Sequence, residues 1–481
     1  MISEVSMPTS LVQVCVYSIL TIGNCQSNIR FDLLLQTRIM HSMSTRRVAL
    51  LIFLLTFGVY TFPVAYNLLH KPFFWSAGHD IAAVSVLPVV ILERGDFTLE
   101  QYHQFFIENW RDPYFIAEVN GRLVSRTPIV ASILALPFYG IPLGTGWLAQ
   151  PHRDWLVFPW SAFYPAKFAA AFITALAVTM FFFCARELAN TRTSALVTIA
   201  FAFGTSVWST ASQALWQHTP SLLFQMIGVW FVLRGRKRGA LAVAPGALFF
   251  SAATVARTNN AVAALLFTLY VFIEYRPALV RWILWAIPPA ALAMIYNALY
   301  NGSPFVFGYQ DGFLHLMTWL RVEGIIGLFL SPSRGLFIYS PFLVLAIYGA
   351  LLVRQESHWR FYLCAAIIFI ISTYLLSVYH YWDGGWGYGS RMIVDALPYL
   401  VFLLIPALPH VRGIARGVFW VALVYAVILQ AFGLWDYGIR WHWHWDNWTY
   451  DVWNVAENEP LFYLKQYVEM GTYYWSRFLH H

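Results

Sequence analysis

The sequence predicts an all-α, polytopic membrane protein, for three reasons. Hydrophobic residues make up 59% of the 481 positions and charged residues only 11%, which is more apolar sequence than a globular core requires. The apolar residues fall into repeated runs of about 20, the length of helix that crosses a hydrocarbon layer. The Lys and Arg residues that give the net charge of +7 are concentrated in short segments between these runs. This pattern sets membrane orientation and argues against nucleic-acid binding.

Residues 1–45 form an N-terminal extension with little periodicity. Its one apolar run, residues 11–22, is too short to cross a membrane, and it lacks the cleavage site typical of a secretory signal. Met40 and Met43 stand shortly before Arg46 and a strong apolar run. These positions make either methionine a candidate start of translation.

The first predicted span covers residues 48–69. Arg46 and Arg47 precede it, so the positive-inside rule places the N-terminus in the cytoplasm. Residues 70–160 then form a long first outer loop. For a bacterial inner (cytoplasmic) membrane, this loop would face the periplasm.

The outer loop is predicted to contain short helices that lie on the membrane surface. Residues 81–92 and 99–110 mix apolar and polar side chains and are too short to cross. Residues 128–148 are long enough to cross, but a crossing would put the basic segments that follow on the outer side, against the positive-inside rule. We therefore predict a re-entrant or surface helix there, broken at Pro137 and Pro142.

Further apolar runs complete a predicted bundle of roughly 11 transmembrane helices. These runs are residues 161–185, 193–210, 220–233, 240–256, 260–273, 282–300, 336–353, 361–379, 392–408 and 418–435. Each loop that this layout places in the cytoplasm carries a basic pair or more, in agreement with the positive-inside rule. The spanning domain therefore covers residues 46–435, and residues 436–481 form a tail on the outer side.

The outer loop also concentrates the polar residues of an otherwise apolar chain. Charged residues are costly near a bilayer, so their presence indicates water or chemistry. Lys71, His79, Asp80 and Arg126 are among those in the loop. We predict that the loop forms one half of an active site and that the outer ends of later spans form the other half.

Four stretches carry a resemblance to a known family. They are residues 78–80 (Gly-His-Asp), 126–139, 331–341 and 382–391. With the first span and the long outer loop, they resemble the C-type glycosyltransferase superfamily (GT-C fold), which includes protein O-mannosyltransferases, aminoarabinose transferases and bacterial relatives. The resemblance implies transfer of a sugar from a polyprenyl-phosphate donor to a glycan, lipid or protein acceptor.

Such a transfer needs a base that takes the proton from the attacking hydroxyl, and a carboxylate suits this role. Asp80 is the candidate base or site carboxylate, and His79 is a second catalytic candidate. Many members of the superfamily have paired acids here, whereas Asp80 has only His79 beside it, so dependence on a divalent metal stays open. The alternative is that Asp80 caps a helix beginning at Ile81 and that His79 is an ordinary surface histidine.

The leaving group would be a lipid phosphate, which a fixed cation can stabilise. Arg stays charged and can bind two phosphate oxygens at once. Arg257 lies at the outer end of a predicted span, and Arg334 and Arg391 lie in Gly-rich segments whose backbone N–H groups could also contact a phosphate. Lys71 is a fourth outer cation assigned to substrate binding. Each cation could instead reach a lipid headgroup, as basic residues near a bilayer commonly do.

Three further features suggest substrate contacts. Asp383 and Tyr388 lie in a Gly-rich stretch whose aromatic rings could stack on a sugar, although an ordinary outer turn explains it equally well. His218 begins an apolar run from the outer side and could bond a sugar or simply pair within the bundle. The Trp-His-Trp-His-Trp stretch at 441–445 suggests a metal or glycan, but interfacial anchoring is favoured.

A second class of function is a transporter or flippase of a lipid-linked glycan without glycosyl transfer. Transporters typically show paired repeats and charged or broken helices near the membrane midplane. Here the polar residues cluster toward one face, which favours an enzyme. No predicted cytoplasmic loop is large enough to fold a nucleotide-binding domain, so a soluble nucleotide-sugar donor is disfavoured.

Overall fold

The structure is a computed structural model that is mostly helical, with one two-stranded hairpin among the residues it describes. The described residues are 43–69, 79–110, 113–149, 158–306, 320–434, 439–445 and 450–479. Nearly all of the predicted N-terminal extension lies outside these ranges. The helical content confirms the predicted fold class.

The first half of the chain contains seven α-helices and the hairpin in its described part. In order they are α1 (Thr45–Leu69), α2 (His79–Arg94), α3 (His103–Asn109), β1 (Ile116–Val119), β2 (Arg122–Ser125), α4 (Val130–Gly144), α5 (Phe163–Leu188), α6 (Thr191–Phe203) and α7 (His218–Arg238). A short π-helix at Val207–Ala211 lies between α6 and α7.

The described second half is entirely helical apart from turns. Its helices are α8 (Gly246–Ala256), α9 (Ala261–Glu274), α10 (Leu279–Tyr300), α11 (Val322–Leu330), α12 (Leu336–Tyr339), α13 (Val344–Leu352), α14 (Trp359–Ser377), α15 (Leu397–Phe402), α16 (Leu404–Ala407), α17 (Gly413–Phe432), α18 (Ile439–His444) and α19 (Glu459–Leu479). Short 3-10 turns join several of them.

Within the described residues, five helical segments are long and apolar enough to cross a membrane. They are Thr45–Leu69, Trp160–Leu188, Arg276–Tyr300, Trp359–Ser377 and Gly413–Phe432. Shorter apolar helices occur at Val130–Gly144, Thr191–Phe203, Ala240–Ala256, Thr258–Glu274, Pro341–Gln355 and Leu397–His410. The chain is therefore a membrane protein with several apolar helices, while the total of roughly 11 crossings remains a prediction.

Helix α5 lies at the centre of the bundle, where it packs against α1 and α7. Its buried face is rich in alanine, including Ala169, Ala170, Ala175 and Ala177. Small side chains let helices approach closely when the surrounding lipid supplies no hydrophobic driving force between them. These small side chains therefore let α5 pack closely against α1 and α7.

Helix α2 differs from the surface helix that the sequence analysis placed here. Every side chain from residue 81 to residue 90 is buried. Ser132 and Tyr139 of α4 donate hydrogen bonds to the carbonyls of Val84 and Ser85, at 2.9 and 2.6 Å. A helix that is apolar on all sides is buried in protein rather than laid on an interface. The packing therefore fixes the start of α2, where Asp80 stands.

Helix α4 is continuous, so the predicted break at two prolines is wrong. The helix runs for 15 residues with Pro137 and Pro142 inside it. Each proline removes one N–H donor, and neighbouring groups in a packed apolar bundle can compensate for that loss. An unbroken α4 can pack along α2 over several turns.

The outer loop contains an antiparallel hairpin that the sequence analysis did not predict. Ile116 pairs with Ser125, and the strands join at Asn120 and Gly121, which both have positive φ angles, 52° and 75°. Asn-Gly is the preferred pair for such a tight turn. The hairpin follows directly on Tyr114, whose side chain reaches the start of α2.

The C-terminal residues pack into the body of the protein. Trp441 and Glu459 are both 0% exposed. Ser331 donates a hydrogen bond to the Val452 carbonyl at 2.7 Å. The structure thus corrects the predicted interfacial anchoring for Trp441, because its ring is buried within the protein.

Candidate active site

Asp80 and Arg391 are in contact at the start of α2. They are 311 residues apart in sequence, yet Arg391 Nη2 lies 3.3 Å from Asp80 Oδ2. The Asp80 side chain is 20% exposed and that of Arg391 14%, so the pair borders solvent and a ligand can approach it. The contact joins the outer loop to the Gly-rich stretch.

Asp80 is held by the outer loop as well. Helix α2 begins at His79, so Asp80 lies within its first turn and does not precede a helix that starts at Ile81. A negative charge in this turn is stabilised by the helix dipole. The Tyr114 hydroxyl donates a hydrogen bond to Asp80 Oδ1 at 2.7 Å. Tyr114 is 42% exposed, and its hydrogen bond to the Asp80 carboxylate keeps the phenol a donor.

Arg391 contacts a tryptophan ring and lies close to two glycines. Its guanidinium carbon is 4.7 Å from the centre of the Trp216 ring, which is a cation–π contact. A β-carbon at Gly387 would come within 2.6 Å of Arg391 Cδ, and one at Gly384 within 3.3 Å of Cγ. The glycines therefore make room for this side chain, which an ordinary outer turn would not require.

A second polar cluster surrounds Asp395. His218 Nδ1 and Arg257 Nη1 each lie 2.7 Å from Asp395 Oδ2, and Ser221 donates a hydrogen bond to Oδ1. Asn260 in turn donates to Ser221 Oγ at 2.8 Å. The side chain of Asp395 is only 4% exposed whereas that of Arg257 is 14% exposed. Asp395 therefore holds Arg257 from within the protein.

The two clusters are adjacent. Trp216, whose ring contacts Arg391, precedes His218 of the second cluster by two residues. Arg391 itself precedes Asp395 by four residues. The site therefore presents two guanidinium groups and two carboxylates, of which Asp80 is the more exposed acid.

Sequence reasoning missed Asp395. It stands inside the apolar run 392–408, which was assigned to a span. An ionisable residue within such a run is itself a signal of pairing or function. That signal was present, but the sequence does not say which of the basic residues pairs with the acid.

Two residues predicted to contact substrate, Arg334 and Tyr388, are bonded to other groups inside the protein. The Arg334 side chain is 1% exposed and its Nη1 lies 2.6 Å from Glu459 Oε2. Tyr388 is 0% exposed and donates a hydrogen bond to the Leu429 carbonyl at 2.6 Å. These positions correct the prediction of an open outer setting, because Arg334 has no surface for a phosphate and Tyr388 has no free ring face for a sugar.

The other residues predicted to contact substrate or take part in the reaction include Asp383, His79 and Lys71. Asp383 is half-buried and accepts a hydrogen bond from the Tyr450 hydroxyl at 2.6 Å. His79 is the first residue of α2, and Lys71 lies outside the described residues. Within the part of the chain that the structure describes, no group of three or more His, Cys, Asp or Glu residues could hold a metal ion.

Comparison of the chain with protein-family models, with curated proteins and with solved structures finds no match. The likeness to C-type glycosyltransferases therefore stays a prediction. The function must follow from the chemistry of the site itself, which is a partly exposed carboxylate beside two arginines in a membrane protein.

Proposed function

We propose that the protein is an integral membrane glycosyltransferase that moves a sugar from a polyprenyl-phosphate donor to a glycan, lipid or protein acceptor. The contact between Asp80 and Arg391 carries the proposal. It puts a carboxylate that can accept a proton beside a cation that can bind a phosphate. Both side chains are accessible, and the apolar helices around them suit a lipid-linked donor.

In the proposed reaction, the acceptor hydroxyl oxygen attacks the anomeric carbon of the sugar. The bond between that carbon and the phosphate oxygen breaks, and its electron pair leaves with the polyprenyl phosphate. Asp80 takes the proton of the hydroxyl. A single displacement of this kind inverts the anomeric configuration. Tyr114 supports the step by fixing the orientation of the carboxylate.

The two arginines would hold the leaving phosphate. Arg391 would bind a phosphate oxygen through its guanidinium, which stays charged and carries five N–H donors. Arg257 is the more exposed partner in the cluster around Asp395 and would supply the second cation. Asp395 and His218 then act by keeping Arg257 in place.

Arg391→Ala is expected to raise the KM for a polyprenyl-phosphate sugar by about 10- to 100-fold, because a hydrogen bond to a charged group contributes about 1.5–3 kcal/mol. Transfer of labelled sugar in isolated membranes, at varied donor concentration, measures the effect. Arg122→Ala is the matched control, since Arg122 is an exposed arginine in the same outer loop. An unchanged donor KM in Arg391→Ala would show that Arg391 does not bind the donor phosphate and is only an interfacial cation.

We further propose roughly 11 crossings of the inner membrane, with a cytoplasmic N-terminus and the C-terminus on the outer, periplasmic side. Helix α7 is not among the five long apolar helices, but it has the length that one crossing requires. His218, beside the site, begins the helix and Lys237 stands near its end. At about 1.5 Å per residue these positions are about 30 Å apart, the thickness of the hydrocarbon layer.

The layout predicts that Arg122→Cys reacts with an impermeant maleimide in intact cells, whereas Lys237→Cys reacts only after permeabilisation. Both positions are exposed in the structure, so accessibility depends on the side of the membrane. The four native cysteines are first replaced by serine to remove background labelling. Labelling of both introduced cysteines from the same side would contradict the proposed topology.

A further inference from the structure

The C-terminal residues hold the Gly-rich turn, which we define as residues 383–389. At its start, Tyr450 donates its hydroxyl hydrogen bond to Asp383. In its middle, the Trp386 ring stacks on His442 with the ring centres 5.2 Å apart. At its end, the backbone N–H of Gly389 donates to Glu459 Oε2 at 3.0 Å. Each contact comes from a residue after position 440.

A buried ion pair connects both sides of this turn. Glu459 Oε2 accepts hydrogen bonds from Arg334 Nη1 at 2.6 Å and from the Tyr339 hydroxyl at 2.7 Å. Arg334 Nη2 donates in turn to the Gly385 carbonyl at 3.4 Å. The Arg334–Glu459 pair therefore bonds the backbone of the turn at Gly385 and at Gly389.

Burial of this ion pair costs desolvation free energy, so the pair is not explained by stability alone. The Arg334 side chain is 1% exposed and that of Glu459 0% exposed. Removing two charges from water often costs as much as their attraction returns, so a buried ion pair is weak evidence for stability. What the pair does supply is a fixed geometry for the groups bonded to it.

The Gly-rich turn also supports Arg391. The Arg391 side chain lies against Gly384 and Gly387, and Arg391 follows Gly389 by two residues. Movement of the turn would therefore move the guanidinium that contacts Asp80.

We propose that Arg334 and Glu459 are positioning residues that fix the Gly-rich turn and so hold Arg391 against Asp80. The C-terminal segment thereby becomes part of the site, although it contains none of the groups assigned to the reaction. The consequence for donor binding rests on the proposed function, whereas the positioning itself does not.

The test uses the full chain with both charges removed together, as Arg334→Met with Glu459→Met. This double variant leaves neither charge buried alone, and apolar replacement of a whole buried pair is often neutral for stability. The matched control is Glu274→Met with Arg360→Met, which removes an ion pair between the end of α9 and the start of α14. Both proteins are compared with wild type in the same detergent.

The first readout is hydrogen exchange of the peptide covering residues 383–391. We expect exchange about 10-fold faster or more in the folded double variant, because the turn loses its bonds at Gly385 and Gly389. The control pair should leave this peptide unchanged. The second readout is sugar transfer, where the donor KM should rise about 10-fold while kcat stays within about twofold, since Arg391 is displaced but Asp80 is kept.

The outcomes separate the two claims. Unchanged exchange in the folded double variant overturns the positioning role. Faster exchange with an unchanged donor KM overturns the link to donor binding. Absence of transfer by the wild type with any polyprenyl-phosphate sugar contradicts the proposed function, and the exchange result still decides the positioning role. Should the double variant fail to fold, Arg334→Lys keeps a positive charge for Glu459 but removes the Nη2 bond to the Gly385 carbonyl, and unchanged exchange there overturns the proposal.

Discussion

Asp80→Asn is expected to lower sugar transfer by about 100-fold or more, the usual scale for loss of a general base. Asn has nearly the size of Asp, and its amide oxygen can still accept the hydrogen bond from Tyr114. The fold should therefore persist while the group that accepts the proton is lost. Transfer is measured in membranes at expression matched to wild type.

Glu93→Gln is the matched control, because Glu93 is an exposed acid near the other end of α2. It should transfer sugar at the wild-type rate. The wild type is also measured with a chelator, where persistence of activity indicates direct proton abstraction and loss indicates a metal ligand. Near-normal turnover by Asp80→Asn would remove Asp80 from the mechanism and leave it as a structural residue of the first helical turn.

Glu459→Gln is expected to destabilise the protein by about 3–5 kcal/mol, the scale for breaking a buried ion pair on one side. The substitution keeps the shape of the side chain and a carbonyl oxygen for Gly389 and Tyr339. It leaves the Arg334 charge buried at 1% exposure without its carboxylate partner. Chemical unfolding of the purified protein in detergent measures the change.

Glu457→Gln is the control for this prediction. Glu457 lies two residues away, and its side chain is 49% exposed. Its replacement should change stability by no more than about 0.5 kcal/mol, as is usual for surface positions. Equal stability of the two variants would show that the Arg334 charge does not need Glu459, and the role of the pair in fixing the turn would then lose its basis.

The sequence predicted the acid and the arginine of the central contact because charges in an apolar chain are few and informative. Asp80 and Arg391 were both predicted to lie in one site, and the structure brings the two side chains into contact. Arg334 is likewise a charged residue in a Gly-rich segment, and it was also predicted to bind the phosphate. Its burial against Glu459 depends on where residue 459 packs, and local sequence does not encode that position.

Several helix positions followed from apolar runs, although the runs 336–353 and 392–408 are divided into short helices. The environment of each helix did not follow from its sequence. The pattern at 81–92 predicted a helix correctly, but its burial depends on α4 packing along it. Pro137 and Pro142 break isolated helices, yet a packed apolar bundle keeps α4 continuous. The hairpin could have been predicted, because Asn120-Gly121 is a strong turn signal between two short strands.

Asp80 and Arg391 are 311 residues apart, so the two halves of the site are synthesised at different times. A ribosome adds about 5–20 residues per second, so about 15 to 60 s pass between synthesis of the acid and synthesis of its partner. During that interval the growing chain carries a carboxylate that its arginine has yet to meet. Chains released before residue 391 would therefore hold the first half of the site without the cation.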